Sequence, residues 1–204
     1  MSKNVFDISN ELMSNAYPGR GIIFGRTLDN KQNVVAYFIM GRSENSRNRI
    51  FVETEDGIRT QAYDPSKMTD PSLIIYHPVR QCGGKLVVTN GDQTDTICEY
   101  LRESKSYIDA LRTRQFEPDA PNYTSRISGV INEDGSYSLS ILKNFTSDRT
   151  SNKRFFYEYD KPVPGLGHFI HTYQCDGDPL PPFRGEPKCI RIEKPIKQFT
   201  EMLW

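Results

Sequence analysis

Residues 21–26 (GIIFGR) and 33–40 (NVVAYFIM) are two runs rich in β-branched and aromatic residues, and residues 28–31 (LDNK) separate them. Side chains of these types favour strands, and a short link with Asp and Asn between two such runs is typical of a hairpin. The pair therefore predicts an antiparallel β-hairpin near the start of the chain.

The strand pattern continues through most of the remaining sequence. Further strands are predicted at residues 48–53, in a short return run ending at Tyr63, and at residues 72–76, 85–89, 125–131, 137–145, 155–159, 167–174 and 188–193. The runs at 72–76 and 85–89 are expected to pair across Gly83 and Gly84. A Pro/Gly-rich loop is expected at residues 176–187.

Two segments have helical spacing instead. Between about residues 93 and 114, apolar residues recur at intervals of three and four, which predicts one helix or two short ones with Asp92 as the N-cap. A terminal helix is expected at about residues 195–204. Because the strands follow one another without β-α-β alternation, we expect an α+β fold with antiparallel sheet in one domain spanning residues 1–204.

Composition excludes several classes of protein. The 204 residues include 26 Lys+Arg and 26 Asp+Glu, so the formal net charge is zero, whereas proteins that bind nucleic acid normally carry a basic excess. No run approaches the roughly 18 apolar residues of a membrane span, and no secretory signal precedes the first strand. A cytoplasmic protein that binds neither nucleic acid nor membrane is expected.

Cysteine and histidine spacing gives no indication of a metal site. The cysteines are Cys82, Cys98, Cys175 and Cys189. They are scattered, without a C-x-x-C pair, and reduced thiols are expected. His168 and His171 are three apart in a predicted strand and should point to opposite faces. No metal is expected.

The most polar segment that follows a strand is residues 41–49 (GRSENSRNR). Its arginines and serines are suited to a phosphate or a carboxylate, although a solvated basic loop would have the same composition. Arg20 lies nearby in residues 17–21 (YPGRG), where glycines let backbone approach an anion. Phosphate recognition is the favoured interpretation.

Two further polar segments could carry chemistry. Residues 89–95 (TNGDQTD) lie at a strand-to-helix junction, where they could hold a polar ligand or serve in ordinary capping by Asp92. In residues 116–126, Glu117 is a candidate general base, Tyr123 a donor and Arg126 a charge partner. Residues 176–186 are long and Pro-rich, as in a lid or specificity loop.

These segments together resemble the archaeal-type IMP cyclohydrolases and their bacterial relatives. The resemblance covers most of the chain from Tyr17 to about Tyr173, and its most specific parts are residues 41–49 and the Asn90-Gly91 junction with Asp95. It implies a four-layer αββα sandwich similar to the N-terminal-nucleophile hydrolases. It also implies closure of 5-formamidoimidazole-4-carboxamide ribonucleotide to IMP with loss of water.

The resemblance also assigns residues to the site. The catalytic candidates are Tyr76, Glu117, Tyr123 and Arg49. The candidates for binding the purine ribonucleotide are Arg20, Arg42, Ser43, Asn48, Asn90, Asp95, Thr124, Arg126 and His171. Arg42 and Arg49 are expected to hold the 5′-phosphate. No cofactor is expected, and a homo-oligomer is expected.

Two departures and two alternatives accompany this assignment. Arg80 lies near a position where the archaeal branch has lysine, and residues 178–186 are not an archaeal feature, so a bacterial relative is expected. One alternative is an amidohydrolase that uses the amine and hydroxyl of processed Ser2. The other is a purine-nucleotide-binding protein without catalytic activity.

Overall fold

The computed structural model describes residues 5–144 and 151–203. In chain order, its strands are β1 (Arg20–Arg26), β2 (Asn33–Ile39), β3 (Arg49–Thr54), β4 (Gly57–Ala62), β5 (Val79–Cys82), β6 (Lys85–Thr89), β7 (Arg126–Ile131), β8 (Tyr137–Asn144), β9 (Asn152–Tyr159), β10 (Leu166–His171) and β11 (Lys188–Arg191). The α-helices are α1 (Ile8–Ser14), α2 (Glu44–Arg47), α3 (Gln93–Arg102), α4 (Tyr107–Arg112) and α5 (Ile196–Glu201). A 3-10 turn spans Pro65–Lys67.

The strands form two antiparallel sheets. A four-stranded sheet has the order β11-β10-β1-β2, and a seven-stranded sheet has the order β3-β4-β5-β6-β7-β8-β9. In the four-stranded sheet, Phe24 of β1 is opposite Val35 of β2 on one side and His168 of β10 on the other. The predicted α+β class with antiparallel sheet is confirmed, and so is the β1–β2 hairpin.

The main apolar core lies between the two sheets. It joins side chains of β1 and β10 to side chains of β6, β7 and β8, namely Ile22, Phe24, Ile170, Val88, Ile127, Ile131, Tyr137, Leu139 and Ile141, with Phe183. Alternation explains this arrangement, because every second residue of a strand faces the same side. Strands that are buried on both faces accordingly read as continuous apolar runs.

Helices cover the outer face of each sheet. Val87, Val130 and Leu142 of the seven-stranded sheet pack against α3 and α4 through Ile97 and Leu111. On the other side, the four-stranded sheet packs against α1 and α5 through a second cluster, which comprises Ile8, Ile23, Val34, Phe169, Ile190, Ile192 and Phe199. The helical segment after Gly91 is thus two short helices, one of the two forms predicted.

The prediction of a strand at residues 72–76 is wrong. This segment is a turn, in which the amide of Ile74 donates to the carbonyl of Pro71 at 3.0 Å. Thr60 of β4 holds it from the side, because its hydroxyl accepts from the Tyr76 amide at 2.9 Å and donates to the Ile74 carbonyl at 2.8 Å. The Thr60 side chain therefore supplies hydrogen bonds that a neighbouring strand would supply if residues 72–76 were a strand.

The strand that pairs with β6 is β5, which the sequence patterns missed together with α1. The two strands meet at Gly83 and Gly84, as predicted for the turn itself. Their φ angles are 58° and 70°, which is left-handed backbone that glycine adopts without steric cost. The turn was thus predicted correctly, but its first strand was placed too early in the sequence.

The prediction of four reduced thiols is wrong for Cys82 and Cys98. These residues form a disulfide with a Cα–Cα separation of 5.5 Å. Cys82 ends β5 and Cys98 lies on the sheet-facing side of α3, so packing of the helix on the sheet brings them together. Cys175 and Cys189 are free thiols. In residues 5–144 and 151–203, no helix is both long enough and apolar enough to cross a membrane.

One close contact between the sheets gives a test of this packing. A methyl group on Gly129 of β7 would lie 2.6 Å from Cε2 of Phe24 and 3.1 Å from Cδ2 of Leu139. Gly129→Ala should therefore lower the free energy of unfolding by about 1–3 kcal/mol, as overpacking does in a dense core. Urea denaturation measures the change.

Phe24→Leu provides the matched partner, because it opens space at the same contact. The double variant should lose less stability than the sum of the two single losses, since neighbouring residues couple. Strictly additive losses would show that Phe24 and Gly129 do not pack as described.

Candidate functional site

A cavity of about 260 Å³ lies where five segments of the chain meet at one end of the two sheets. It is lined by Tyr17, Arg20, Arg42, Ser43, Ser46, Leu73, Ile74, Glu117, Asp119, Asn122, Tyr173 and Leu180. Four of the predicted site residues are in this lining, namely Arg20, Arg42, Ser43 and Glu117. The cavity thus brings together arginines and carboxylates that are far apart in the sequence.

Arg20 begins β1 and carries the buried positive charge of the cavity. Only 8% of the residue is exposed, and its Nε has no hydrogen-bond partner among the described residues. Burial lowers the pKa of Arg20, but Glu117 and the tyrosine hydroxyls of Tyr76 and Tyr173 raise it by more, so the pKa lies above its usual value. Arg20 is therefore a buried cation, and the N–H at its Nε is used by none of the described residues.

Glu117 is the buried carboxyl group of the cavity. The residue is 1% exposed, and burial raises its pKa to about 7, although Arg20 and Arg126 lower it. Its backbone amide donates to the carbonyl of Thr124 at 2.9 Å, which closes the loop on itself. A carboxyl group that ionises near neutral pH can either accept or donate a proton there.

Asn90 fixes the orientation of a donor toward Glu117. Its Oδ1 accepts from the amide of Ile127 at 2.8 Å, and its Nδ2 donates to the carbonyl of Ser125 at 2.9 Å. The same Nδ2 lies 3.4 Å from Oε1 of Glu117. Because the β7 backbone determines which end of the amide is the donor, Asn90 presents N–H and not C=O to the carboxyl group.

Gly91 allows this junction to pack closely. A methyl group there would lie 2.6 Å from Nη1 of Arg126, 2.8 Å from Oε1 of Gln93 and 3.4 Å from Oε1 of Glu117. No larger residue fits without displacing these groups. The Asn90-Gly91 pair is therefore part of the wall behind Glu117.

The N-cap position predicted for Asp92 at the start of α3 is confirmed, but the predicted capping by its side chain is wrong. Asp92 occupies the N-cap position, but its side chain makes no capping hydrogen bond. Its Oδ1 lies 2.7 Å from Nη1 of Arg126, and its Oδ2 accepts from Arg114. Burial raises the pKa of Asp92, but these two arginines lower it by more. The carboxylate holds Arg126, which in turn donates to Oε1 of Gln93 at 2.6 Å.

Asp119 and Tyr173 form a second polar group in the cavity wall. Asp119 accepts from both the amide and the hydroxyl of Thr124. Because the Thr124 proton is used in this way, the hydroxyl of Tyr173 donates to the Thr124 oxygen. Burial raises the pKa of Tyr173 to about 12, so its hydroxyl stays protonated near neutral pH. This chain connects the loop of Glu117 to the segment that follows β10.

The mouth of the cavity is formed by Arg42 and the loop after Tyr173. Nη1 of Arg42 donates to the carbonyl of Gly177 at 2.9 Å and lies 3.3 Å from Oδ1 of Asp176. Its guanidinium carbon is 5.9 Å from the ring centre of Tyr17, which stacks on Tyr173. The Arg42 side chain is 45% exposed, so it can meet a charged group that enters from solvent.

Tyr76 belongs to a tyrosine pair beside the cavity. Its hydroxyl is 2.8 Å from the hydroxyl of Tyr37 on β2. Arg49 is the first residue of β3. Its Nε donates to the carbonyl of Ser46 at 2.8 Å, and its Nη2 donates to the hydroxyl of Ser46 at 2.9 Å. Its buried Nη1 has no hydrogen-bond partner in the described part of the chain.

Other predicted binding residues lie away from the cavity lining. Asn48 clamps Asp64, accepting from its amide at 2.7 Å and donating to its carbonyl at 2.8 Å. Asp95 accepts from Arg80 at 2.8 Å. His171 is buried, and its Nδ1 bonds to the carbonyl of Tyr173. All three side chains are therefore hydrogen-bonded to other residues of the protein.

Tyr123 and Ser2 complete the set of predicted residues. Tyr123 is half-buried, and its ring packs edge-on against Phe116 with centroids 5.7 Å apart. Ser2 lies outside the described residues. His168 and His171 point to opposite faces of β10, as predicted, since His168 meets Tyr137 of the other sheet while His171 stacks on Phe169.

A larger surface groove of about 590 Å³ lies beside the cavity. It is lined by Glu44, Arg47, Asn48, Tyr63, Asp64 and Lys67. Its carboxylates and cations are solvated or paired with one another, whereas Glu117 and Arg20 are buried. The smaller cavity is therefore the better candidate for chemistry.

Sequence reasoning missed several residues of the cavity. Asp119 and Asn122 belong to the same loop as Glu117, so the polar composition of residues 116–126 was a usable signal. Tyr173 in the lining and Tyr37, which lies outside it, gave none, because each lies in or beside an apolar strand and has the sequence context of a core residue. Their positions depend on how the two sheets meet.

Comparison with known proteins identifies the family of this chain. The sequence model of the family described as IMP cyclohydrolase-like protein matches residues 17–204. An IMP cyclohydrolase of Methanococcus aeolicus is 28% identical over 166 residues, which cover 78% of this chain and 75% of the relative. An IMP cyclohydrolase of Methanopyrus kandleri is 26% identical over 162 residues, 77% of this chain and 75% of the relative.

A third relative matches a shorter stretch. The IMP cyclohydrolase of Halobacterium salinarum is 29% identical over 131 residues, which cover 62% of this chain and 63% of the relative. Since the family match begins at Tyr17, three residues before Arg20, and continues to the end of the chain, it includes the whole cavity lining. The chain belongs to the IMP cyclohydrolase-like protein family.

Proposed function

We propose that this chain is an IMP cyclohydrolase, which closes 5-formamidoimidazole-4-carboxamide ribonucleotide to IMP with release of water in the cytoplasmic synthesis of purines. The observation that carries the proposal is Glu117, a buried carboxyl group with a pKa of about 7 in the same cavity as the buried cation Arg20. The names of the relatives agree with it.

The reaction moves protons from two nitrogens to the formyl oxygen. The carboxamide nitrogen attacks the formyl carbon and loses one proton. The formyl oxygen becomes a hydroxyl group and then leaves as water, as the formamido nitrogen gives up its proton and a C=N bond forms. Because both partners are on one molecule, proximity is already provided, and proton transfer and electrostatics are what an enzyme can add.

Glu117 fits the role of general base. Its pKa of about 7 makes it half ionised at neutral pH, and a base is most effective when its pKa is close to the working pH. Asn90 donates to Oε1 of Glu117, which leaves Oε2 to accept the carboxamide proton. Protonated Glu117 can then pass that proton to the leaving oxygen.

Donors near Glu117 can stabilise the formyl oxygen. Arg20 has an unpartnered Nε, and Tyr76 carries a hydroxyl at the edge of the same charge cluster. Tyr123 is a further donor in the loop of Glu117. Donors already fixed in a buried site stabilise developing negative charge without reorganisation.

The mouth of the cavity suits the 5′-phosphate. Arg42 is a partly exposed cation, and the hydroxyl groups of Ser43 and Ser46 are beside it in the lining. Arg49 was expected to share this role, but two of its three nitrogens already bind Ser46. We therefore assign the phosphate to Arg42.

Several broader expectations belong to the same proposal. The order helices, sheet, sheet, helices supports the αββα sandwich of the N-terminal-nucleophile hydrolases. Because β1 pairs with β10, which lies more than 100 residues later in the chain, we treat residues 1–204 as one domain. A homo-oligomer, a reaction without metal or cofactor, and a bacterial origin remain predictions.

The first test is turnover of the proposed substrate. Purified protein and the formamido ribonucleotide should give IMP, followed by ultraviolet absorbance and confirmed by chromatography. Tight binding without any IMP would instead identify a nucleotide-binding protein that lacks this activity.

Glu117→Gln keeps the size of the side chain and removes its charge. The kcat should fall by about 10²–10⁴-fold, the usual contribution of a general base. In the wild type, kcat should rise with pH up to about 7 and then level off, because only ionised Glu117 can accept the proton. The variant should lose this rise.

The matched control for this experiment is Glu133→Gln, an exposed carboxylate in the turn between β7 and β8. It should leave kcat and its pH profile unchanged. If Glu117→Gln retained kcat within a few-fold and lost only thermal stability, Glu117 would be a loop-shaping residue and not the base.

Arg42→Ala removes the cation at the mouth. KM should rise by about 10–100-fold with a smaller change in kcat, since a hydrogen bond to a charged group contributes about 1.5–3 kcal/mol. Arg47→Ala is the control, because it removes a positive charge from the same loop on the side of the larger groove. Equal effects of both substitutions would indicate a solvated basic loop without a phosphate site.

A further inference from the structure

Asp119 and Asn122 are polar residues of the cavity lining that the mechanism above leaves without a role. They lie three apart in one turn, in which the amide of Asn122 donates to the carbonyl of Asp119 at 3.0 Å. Both residues are half-buried. The substrate, for its part, has one polar group that the mechanism has not placed, which is the ribose.

The orientation of the Asn122 side-chain amide is fixed by the loop after β10. Its Oδ1 accepts from the backbone amide of Leu180 at 3.0 Å. Because a backbone amide can only donate, the end of the Asn122 side chain that meets it is the oxygen, and Nδ2 is the other end. Among the described residues, none accepts a hydrogen bond from this Nδ2. Asn122 therefore brings a donor to the cavity wall that these residues do not use.

Asp119 supplies an acceptor from the same turn. One of its carboxylate oxygens accepts from the Thr124 amide at 2.6 Å, and the other accepts from the Thr124 hydroxyl. A carboxylate has about four acceptor positions, so these two hydrogen bonds leave capacity for a further donor. They also hold the carboxylate in one orientation. The turn thus carries a fixed acceptor and a fixed donor before any ligand arrives.

This turn lies between the two parts of the cavity that already have a role. On one side it belongs to the loop of Glu117, where the reaction takes place. On the other side Asn122 is bonded to Leu180. The segment that contains Leu180 also holds Arg42, which donates to the carbonyl of Gly177 at 2.9 Å. In the nucleotide, the ribose joins the imidazole ring to the 5′-phosphate. A substrate that reaches from Glu117 to Arg42 therefore has its ribose beside this wall.

We propose that Asp119 and Asn122 bind the ribose and make the site selective for ribonucleotides over deoxyribonucleotides. A ribose hydroxyl both donates and accepts, so one that donates to Asp119 can also accept from Nδ2 of Asn122. A site that bonds a hydroxyl rejects a ligand without it, because its own polar groups then lose their partner. This inference rests on the proposed function, which supplies the positions of the base and the phosphate.

Binding of the product measures this selectivity without turnover. The probes are IMP, 2′-deoxy-IMP and 3′-deoxy-IMP, and isothermal titration calorimetry gives each Kd. At least one deoxy analogue should bind the wild type about 10–100-fold more weakly than IMP, the range expected for a hydrogen bond to a charged group.

Asn122→Ala should lower this ratio of Kd values by about 3–10-fold, because the hydroxyl loses its donor. The substitution also removes the acceptor of the Leu180 amide. Any general loosening of the wall weakens the binding of all three probes alike, so it cancels in the ratio. A purely structural role of Asn122 would therefore leave the ratio unchanged.

Asp119→Asn is the second variant, because it removes the charge at nearly the same size. It should also lower the ratio, by about 5–10-fold, since a hydrogen bond to a neutral acceptor is weaker than one to a carboxylate. If Asn122→Ala does not fold, Asp119→Asn decides by the same measurement.

Gln174→Ala is the matched control. Gln174 is also a side-chain amide that accepts from a backbone amide, that of Arg184 at 3.1 Å, but it is exposed and lies outside the cavity lining. It should leave the ratio unchanged.

The outcomes separate this inference from the function on which it rests. Wild-type protein that binds IMP and both deoxy analogues equally would overturn the inference and leave the proposed function in place. A ratio that neither Asn122→Ala nor Asp119→Asn alters would do the same. Protein that neither binds IMP nor forms it would contradict the proposed function itself.

Discussion

The arrangement of the site depends on a carboxyl group and a guanidinium buried together at one end of the two sheets. Burial raises the pKa of Glu117, whereas Arg20 lowers it, and the balance places it at about 7. Neither group could occupy an apolar cavity alone, because an isolated buried charge is strongly destabilising. The pair therefore requires a polar wall, which Asn90 and the Asp92–Arg126 ion pair provide.

Each part of that wall comes from an element whose position is set by apolar packing. Asn90 follows β6, whose Val88 is in the core between the sheets. Asp92 begins α3, which is held by Ile97 against the outer face of the seven-stranded sheet. The polar groups thus keep their geometry because the strand and the helix that carry them cannot shift without opening a core.

Local signals in the sequence predicted the β1–β2 hairpin, the helical segment after Gly91 and the presence of Glu117 in a polar loop. They failed where a partner from elsewhere in the chain decides the structure. Residues 72–76 read as a strand, but Thr60 supplies their hydrogen bonds. Asp92 reads as a helix cap, but Arg126 and Arg114 bind its carboxylate. Tyr37 and Tyr173 read as core, because only the meeting of the sheets shows where their hydroxyls lie.

The pairing of β1 with both β2 and β10 also bears on the order in which the site can form. Arg20 is at the start of β1 and Tyr173 lies just after β10, about 150 residues later in the chain. Contacts of such high sequence separation close late, because the loop entropy must be overcome first. During synthesis, the hairpin of β1 and β2 therefore emerges long before its third strand exists. The cavity is complete only when the chain as far as Leu180 has left the ribosome and β10 has docked.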